Sequence, residues 1–214
     1  MQTLSFANPP RRVLCLGAHS DDIEIGCGGT LLRLFEAYPE VEVRWAVFGA
    51  REQRAAEARR SAEAMLERTA SPVIDVFGFR DGFFPYQGAD IKDCFETLKS
   101  VFTPDVVFTH QREDAHQDHR LLNELTWNTY RNNFILEYEI PKYDGDFGAP
   151  NMFVHVNEDT ARAKIDHLMS FFATQRDKHW FTPDLFSAVL RIRGMESASP
   201  SGLAEAFYCR KITI

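Results

Sequence analysis

Seven histidines are spread over the 214 residues, yet four of them fall in two short polar stretches. The first stretch, AHSDDIEIGCGGT (Ala18 to Thr30), presents His19 and two consecutive carboxylates, Asp21 and Asp22, directly after the apolar run RVLCLG. The second, HQREDAHQDHR, follows the apolar DVVFT and holds His110, His116 and His119 with Asp114 and Asp118. Adjacent carboxylates repel, so a surface loop gains nothing from pairing Asp21 with Asp22. A cation shared with the imidazoles removes the repulsion. Imidazole nitrogen and carboxylate oxygen without thiolate suit Zn²⁺, with Fe²⁺, Co²⁺ and Mn²⁺ as further candidates. Catalytic zinc keeps three protein ligands and leaves one position for water, and two histidines with one carboxylate form an established set.

The spacings support this chemistry. His19 and Asp22 are three apart at a loop-to-helix transition, so both can turn toward one ion; His116 and His119 share the same spacing. Asp21 and Asp22, being consecutive, point in different directions. One can bind the ion while the other faces a water as its base. Zinc lowers the pKa of water from 15.7 to about 7, and a carboxylate beside it can then take the proton.

The elements that must position these residues alternate in type. RVLCLGA (Arg12 to Ala18) is a short continuous apolar run, the mark of a strand covered on both faces. Helical periodicity then runs from about Asp22 to Tyr38 through Leu31, Leu32, Leu34 and Phe35. VEVRWAVFGA predicts a second strand, REQRAAEARRSAEAMLER a helix rich in Ala, Glu and Arg, and PVIDVFGF a third strand. ADIKDCFETLKSVFT is an amphipathic helix, DVVFTH a fourth strand, and RLLNELTWNTYR a helix after the second polar loop. FILEYEIP and MFVHVN read as two more strands. A long helix follows over about Glu158 to His179, then one near Pro183 to Arg193, and a closing strand FYCRKITI. This order predicts an α/β fold, a Rossmann-like three-layer sandwich with a mostly parallel sheet, in one domain over 1–214. Ligands of such sheets bind beyond the carboxyl ends of the strands, where strand order reverses. The two polar loops can therefore meet although nearly a hundred positions separate them.

Composition narrows the partners. With 44% hydrophobic and 26% charged residues, the chain reads as an ordinary soluble globular protein. A net charge of −7, from 24 basic and 31 acidic residues, argues against nucleic acid, which needs clustered Lys and Arg. The basic cluster from Arg51 to Arg60 is interleaved with Glu at helical spacing, as on a solvated helix face. Cys15, Cys27, Cys94 and Cys209 are scattered without C-x-x-C spacing, which indicates a reducing compartment. The N-terminus has no signal-peptide pattern and no apolar run approaches a membrane span, so the expected location is the cytoplasm.

The motifs AHSDD followed by GCGGTLLRL, with HQDH after the fourth strand, resemble those of the PIG-L/LmbE-like zinc-dependent N-acetylglucosamine deacetylases. FGAREQRAAEARRSAEAM is similar to the family's Arg-x-x-Glu helix, GFRDG to its third-strand ending and AEAFYCRKI to its closing segment. The resemblance implies zinc held by His19, Asp22 and His119, with Asp21 as general base. His116 would hydrogen-bond the developing oxyanion while protonated, and Asp118 would orient and charge His116. Arg54 would contact the sugar. The implied partner is a small amino-sugar substrate. Two departures stand out: the family commonly has proline where this chain has Ser20 and Gln117, and the stretch YEIPKYDGDFGAPN (Tyr138 to Asn151) has no assigned counterpart. Its Pro and Gly content suits a loop over the site.

Other residues read as structural. Gly26, Gly28 and Gly29 lie inside the first helix without a following Gly-Lys-Ser/Thr, so close helix-to-sheet packing explains them. His155, His167 and His179 fall on a strand and a long helix. His110 ends the fourth strand, touching the site or supporting it from behind. Asp81, beside Gly82, reads as a turn residue, and the aromatics as core, with Phe83, Phe84 and Tyr86 able to line a sugar pocket. Two rival readings stay open: a metal-dependent phosphoesterase with two ions per chain, and a non-catalytic sugar- or nucleotide-binding Rossmann-like protein. Oligomeric state is not legible in the sequence.

Overall fold

A computed structural model describes residues 3, 5, 6 and 8–213, so Ile214 of the expected closing strand lies outside the described residues. The apolar runs become strands that no polar face could expose. In β1 (Arg12–Gly17) every residue after Arg12 is buried, and β4 (Val106–His110) is buried throughout. Together with β2 (Glu42–Val47), β3 (Ser71–Val76), β5 (Phe134–Tyr138), β6 (Met152–His155) and β7 (Ala204–Cys209) they form one seven-stranded sheet of order β3-β2-β1-β4-β5-β7-β6. The first five strands are parallel, whereas β7 runs antiparallel to both β5 and β6.

Alternate side chains along each strand feed two cores. Val13, Cys15, Trp45 and Phe108 pack with α1 (Asp22–Ala37), α2 (Glu52–Met65) and α5 (Glu158–Phe171). Leu14, Leu16, Phe48 and Val107 pack with α3 (Gly88–Val101) and α4 (Gln117–Tyr130) on the opposite face. A further helix, α6 (Pro183–Glu196), joins the first layer through Phe186. The three-layer α/β sandwich expected from the alternating pattern is what forms. Strand order reverses between β1 and β4, which pair side by side. The crevice between their carboxyl ends receives both polar loops.

Several boundaries differ from the sequence reading, and three of them matter here. The helix expected to run to His179 stops at Phe171, and a single 3-10 turn (Ala173–Gln175) follows. The cause is tertiary: the Thr174 backbone N–H and hydroxyl donate to the Glu57 carboxylate on α2, at 3.1 and 2.5 Å. The closing strand lies earlier, at Ala204–Cys209, because its partners on β5 and β6 set the register. Finally, α4 begins at Gln117 and so takes Asp118 and His119 into its first turn.

The glycines of α1 do serve close packing. A Cβ on Gly26 would come within 2.1 Å of the Tyr138 ring, which lies beneath it.

Candidate metal and catalytic site

The site is built where β1 and β4 release the chain. After β1 the backbone passes His19 and Asp21 and enters α1 at Asp22. The Asp22 carboxylate accepts a hydrogen bond from the His19 backbone N–H at 2.7 Å, which ties the loop to the helix start. After β4 the chain crosses Asp114 and turns into α4 with His116 as N-cap, its Nδ1 accepting from the Asp118 N–H at 3.2 Å. His19 and His119, a hundred positions apart, meet with His19 Nδ1 3.1 Å from His119 Nε2. Asp22 Oδ2 lies 3.3 Å from that His19 nitrogen and 3.4 Å from His119 Nε2.

This triangle fits a metal. A tetrahedral ion with bonds of about 2.0–2.1 Å requires its ligand atoms about 3.3–3.4 Å apart. Two imidazole nitrogens facing each other at 3.1 Å also repel unless a proton or cation lies between them. Each imidazole is held from behind, as metal-binding histidines ordinarily are. His119 Nδ1 faces Asp114 Oδ2 at 3.0 Å, and Asp114 is held in turn by Lys142 Nζ at 3.0 Å. His19 Nε2 faces Asp118 Oδ2 at 3.3 Å and Asp81 Oδ1 at 3.1 Å.

Charge follows the same plan. Burial opposes protonation of His19, yet Asp22, Asp118 and Asp81 hold its pKa well above 6.5; His119 is raised in the same way by Asp22 and Asp114. Burial would raise Asp22, but His119, His19 and His110 pull it well below the carboxylate range. The nest thus holds positive charge beside Asp22 whether protons or a metal supply it. Asp21 behaves oppositely: burial and the Asp22 charge raise its pKa, tempered by Arg54 and Lys178. It forms no hydrogen bond or ion pair with the imidazoles of the triangle; Ser20 Oγ donates to it at 3.1 Å and Arg54 Nη2 stands 3.8 Å away.

His116 packs 4.9 Å from the His19 ring centre and 4.6 Å from that of His119. Burial, then the charges of His119 and His19, lower its pKa, while Asp118 and Asp22 act in the opposite direction. With Nδ1 accepting from Asp118 N–H, its proton sits on Nε2. The Asp118 carboxylate accepts from Gly82 N–H at 2.6 Å and Phe84 N–H at 3.1 Å and faces His19, and its charge raises the His116 pKa. It therefore fastens the loop after β3 to His19.

Arg54 departs from a purely solvated helix face. Its guanidinium pairs with Asp81 at 2.8 Å and donates to Ser20 Oγ at 3.2 Å, beside Asp21. Asp81, expected as a turn residue, stands at the site edge against both His19 and Arg54. Gly82 does turn the chain there, with φ +77°, and that turn signal masked the carboxylate. The clue was position: Asp81 follows a third parallel strand and so lies on the same carboxyl-end edge. His110 lies behind the triangle, wholly buried, stacked on His119 at 3.9 Å between ring centres and 3.3 Å from Asp22 Oδ2. Burial, then the His119 charge, push its pKa down to about 4. Lys142 shows that the 138–151 segment reaches the site through Asp114.

Residues 14–130 match the family model described as PIG-L, GlcNAc-PI de-N-acetylase. The chain belongs to the PIG-L family. That span includes every candidate site residue, and N-deacetylation is the activity for which the family is described. A homologue from Escherichia coli (strain K12), an uncharacterized deacetylase called YaiS, is 29% identical over 170 residues, 76% of this chain and 91% of that one. Among solved structures, N,N'-diacetylchitobiose deacetylase from Pyrococcus horikoshii, complexed with an inhibitor, superposes with a TM-score of 0.71. It is 22% identical, over 96% of this chain and 87% of its own. The 4-carboxy-2-hydroxymuconate hydratase GalB of Pseudomonas putida KT2440 superposes equally well, at TM-score 0.71 and 16% identity over 95% and 98% of the two chains. The fold therefore serves more than one reaction, and the side chains of each site must decide the chemistry. No helix among the described residues is long and apolar enough to cross a membrane.

Proposed function

We propose that this PIG-L family member is a zinc-dependent hydrolase that removes the acetyl group from an N-acetylated amino sugar of the N-acetylglucosamine type, or from its conjugate. The observation that carries the reading is the triangle of His19 Nδ1, Asp22 Oδ2 and His119 Nε2 with edges of 3.1–3.4 Å, beside a second carboxylate left outside it. In the triangle a divalent ion, Zn²⁺ by its His₂-carboxylate donors, would supply Lewis acidity to the acyl oxygen and to water.

The chain's own groups supply the rest. Asp21, its pKa raised by burial and by Asp22, is a better proton acceptor than a free carboxylate and takes the proton of the attacking water. His116, its Nδ1 turned to the Asp118 N–H, donates from Nε2–H to the acyl oxygen as it gains charge. Asp118 keeps His19 and the Gly82 turn in register. Arg54, held across Ser20 and Asp81, offers its remaining N–H groups to sugar hydroxyls. The departing amine receives the proton held by Asp21. The four cysteines, all free, support a reducing compartment, the cytoplasm.

The test is amine release from a panel of N-acetylglucosamine conjugates, abolished by a chelator and restored by Zn²⁺. One ion per fully active chain separates this reading from a paired-metal phosphoesterase. Tight sugar binding without amine release would mark a non-catalytic protein and sink the proposal.

A further inference from the structure

Helix α1 is gripped in its interior by two charged side chains from distant elements. Glu205 of β7 accepts from the N–H groups of Gly29 at 2.8 Å and Thr30 at 2.6 Å. Lys164 of α5 donates to the carbonyl oxygen of Ile25 and to Glu205, both at 2.6 Å. The Ile25 C=O and Gly29 N–H stand four residues apart, the spacing of hydrogen-bond partners within an α-helix. Here each is also engaged by one member of a buried ion pair, Lys164 and Glu205 being 5% and 4% exposed.

Such a pair carries a desolvation cost, and an apolar pair of similar volume would pack α1 against α5 and β7 without it. What charge adds is register: a donor and an acceptor that recognise particular peptide groups. Within the GCGG run, Gly29 gives Glu205 its room, while Gly28 leaves ordinary contact distance to Lys164. A Cβ on Gly29 would lie 3.1 Å from Glu205 Oε1, and one on Gly28 would rest 3.5 Å from the Lys164 stem. One turn earlier Gly26 sits on the Tyr138 ring, whose hydroxyl donates to Leu16 O at 2.6 Å at the end of β1. Depth, rotation and axial position of α1 are thereby all constrained. Its first residue is Asp22.

We propose that Lys164 and Glu205 are positioning residues for the metal triangle. By holding the Ile25 to Thr30 peptide groups they set α1 at the height and rotation that bring the Asp22 carboxylate against His19 and His119. Neither touches the ion or the substrate. The inference rests on the metal reading of the triangle given above and adds to it a support spread over the first turns of α1.

Cobalt(II) is the probe, because its visible spectrum reports ligand geometry. In Glu205→Gln and in Lys164→Met, each folded by far-UV circular dichroism, Co²⁺ affinity is expected to weaken about tenfold, as for lost support behind metal ligands, with a changed visible spectrum. The double swap Lys164→Glu/Glu205→Lys restores the charge pair but offers an ammonium to the Gly29 and Thr30 N–H groups, so it is expected not to rescue. Unchanged affinity and spectrum in both single variants, or full rescue by the swap, would overturn the proposal. Should the variants not fold, the unaltered protein gives the answer by amide exchange. Coupling is reciprocal, so Co²⁺ loading must slow exchange at Gly29 and Thr30, and equal rates would overturn it. An unaltered chain that binds no Co²⁺ removes the metal reading and this inference together. Normal binding that the variants leave untouched removes this inference alone.

Discussion

Two parts of this molecule bury charge, and they do so on opposite terms. At the antiparallel edge each buried carboxylate has a permanent cation against it, and Arg193 serves Glu196 as well. Arg193 holds Glu139 through two nitrogens at 2.9 and 3.0 Å, with Tyr208 and the Gly148 N–H completing the carboxylate. Lys164 pairs with Glu205, and Arg210 with Glu137. At the carboxyl ends of β1, β3 and β4, five carboxylates (Asp21, Asp22, Asp81, Asp114 and Asp118) pair, among the described residues, with two permanent cations, Arg54 and Lys142, while Lys178 acts on Asp21 from farther off, and the imidazoles supply the remaining positive charge. A matched pair rigidifies. An unmatched cluster is costly until something cationic enters it, and that imbalance marks the functional end of the sheet.

The sharpest way to break this contrast is Asp21→Asn. Turnover is expected to fall about 10³-fold, within the usual span for a lost general base, while metal content by elemental analysis stays at the unaltered level. Loss of metal instead would mean that the two consecutive carboxylates exchange roles. His116→Ala comes next, with an expected loss of 10²–10³ in kcat and little change in KM, the signature of a group that acts on developing charge.

On the other side of the comparison, Arg193→Met should spare kcat per folded molecule yet cost about 3–5 kcal/mol of stability in urea titrations, because Glu139 is left buried without its cation. A large kcat effect there would erase the distinction between the two regions. Glu24 sharpens it further. Burial raises this carboxyl to about 8, tempered by a hydrogen bond from Ser61. Below pH about 4.5 both folded and unfolded states keep the proton; above it the unfolded chain releases it first, so stability declines as pH rises toward 8. Glu24→Gln is expected to abolish that decline in melting experiments across the interval. The smallest effect is expected of Arg54→Lys, which keeps charge but loses the planar fork. KM should rise severalfold, with kcat and metal content held.

The α/β class, the parallel strands and the two polar loops were legible because continuous apolar runs and helical periodicity are local properties, written within a dozen residues of one another. The candidate site residues could be named for the same reason: His19, Asp21, Asp22, His116, Asp118 and His119 announce themselves by type and spacing. Long-range pairing is not local, and there the tertiary structure decided. It ended α5 at Phe171 by capturing Thr174 on Glu57, turned Asp81 from a bend into a site carboxylate, and tied the Asp118 carboxylate to His19, Gly82 and Phe84. Each outcome depends on which groups meet across the fold and on how much water they lose when they meet. Neither quantity is a function of neighbouring letters.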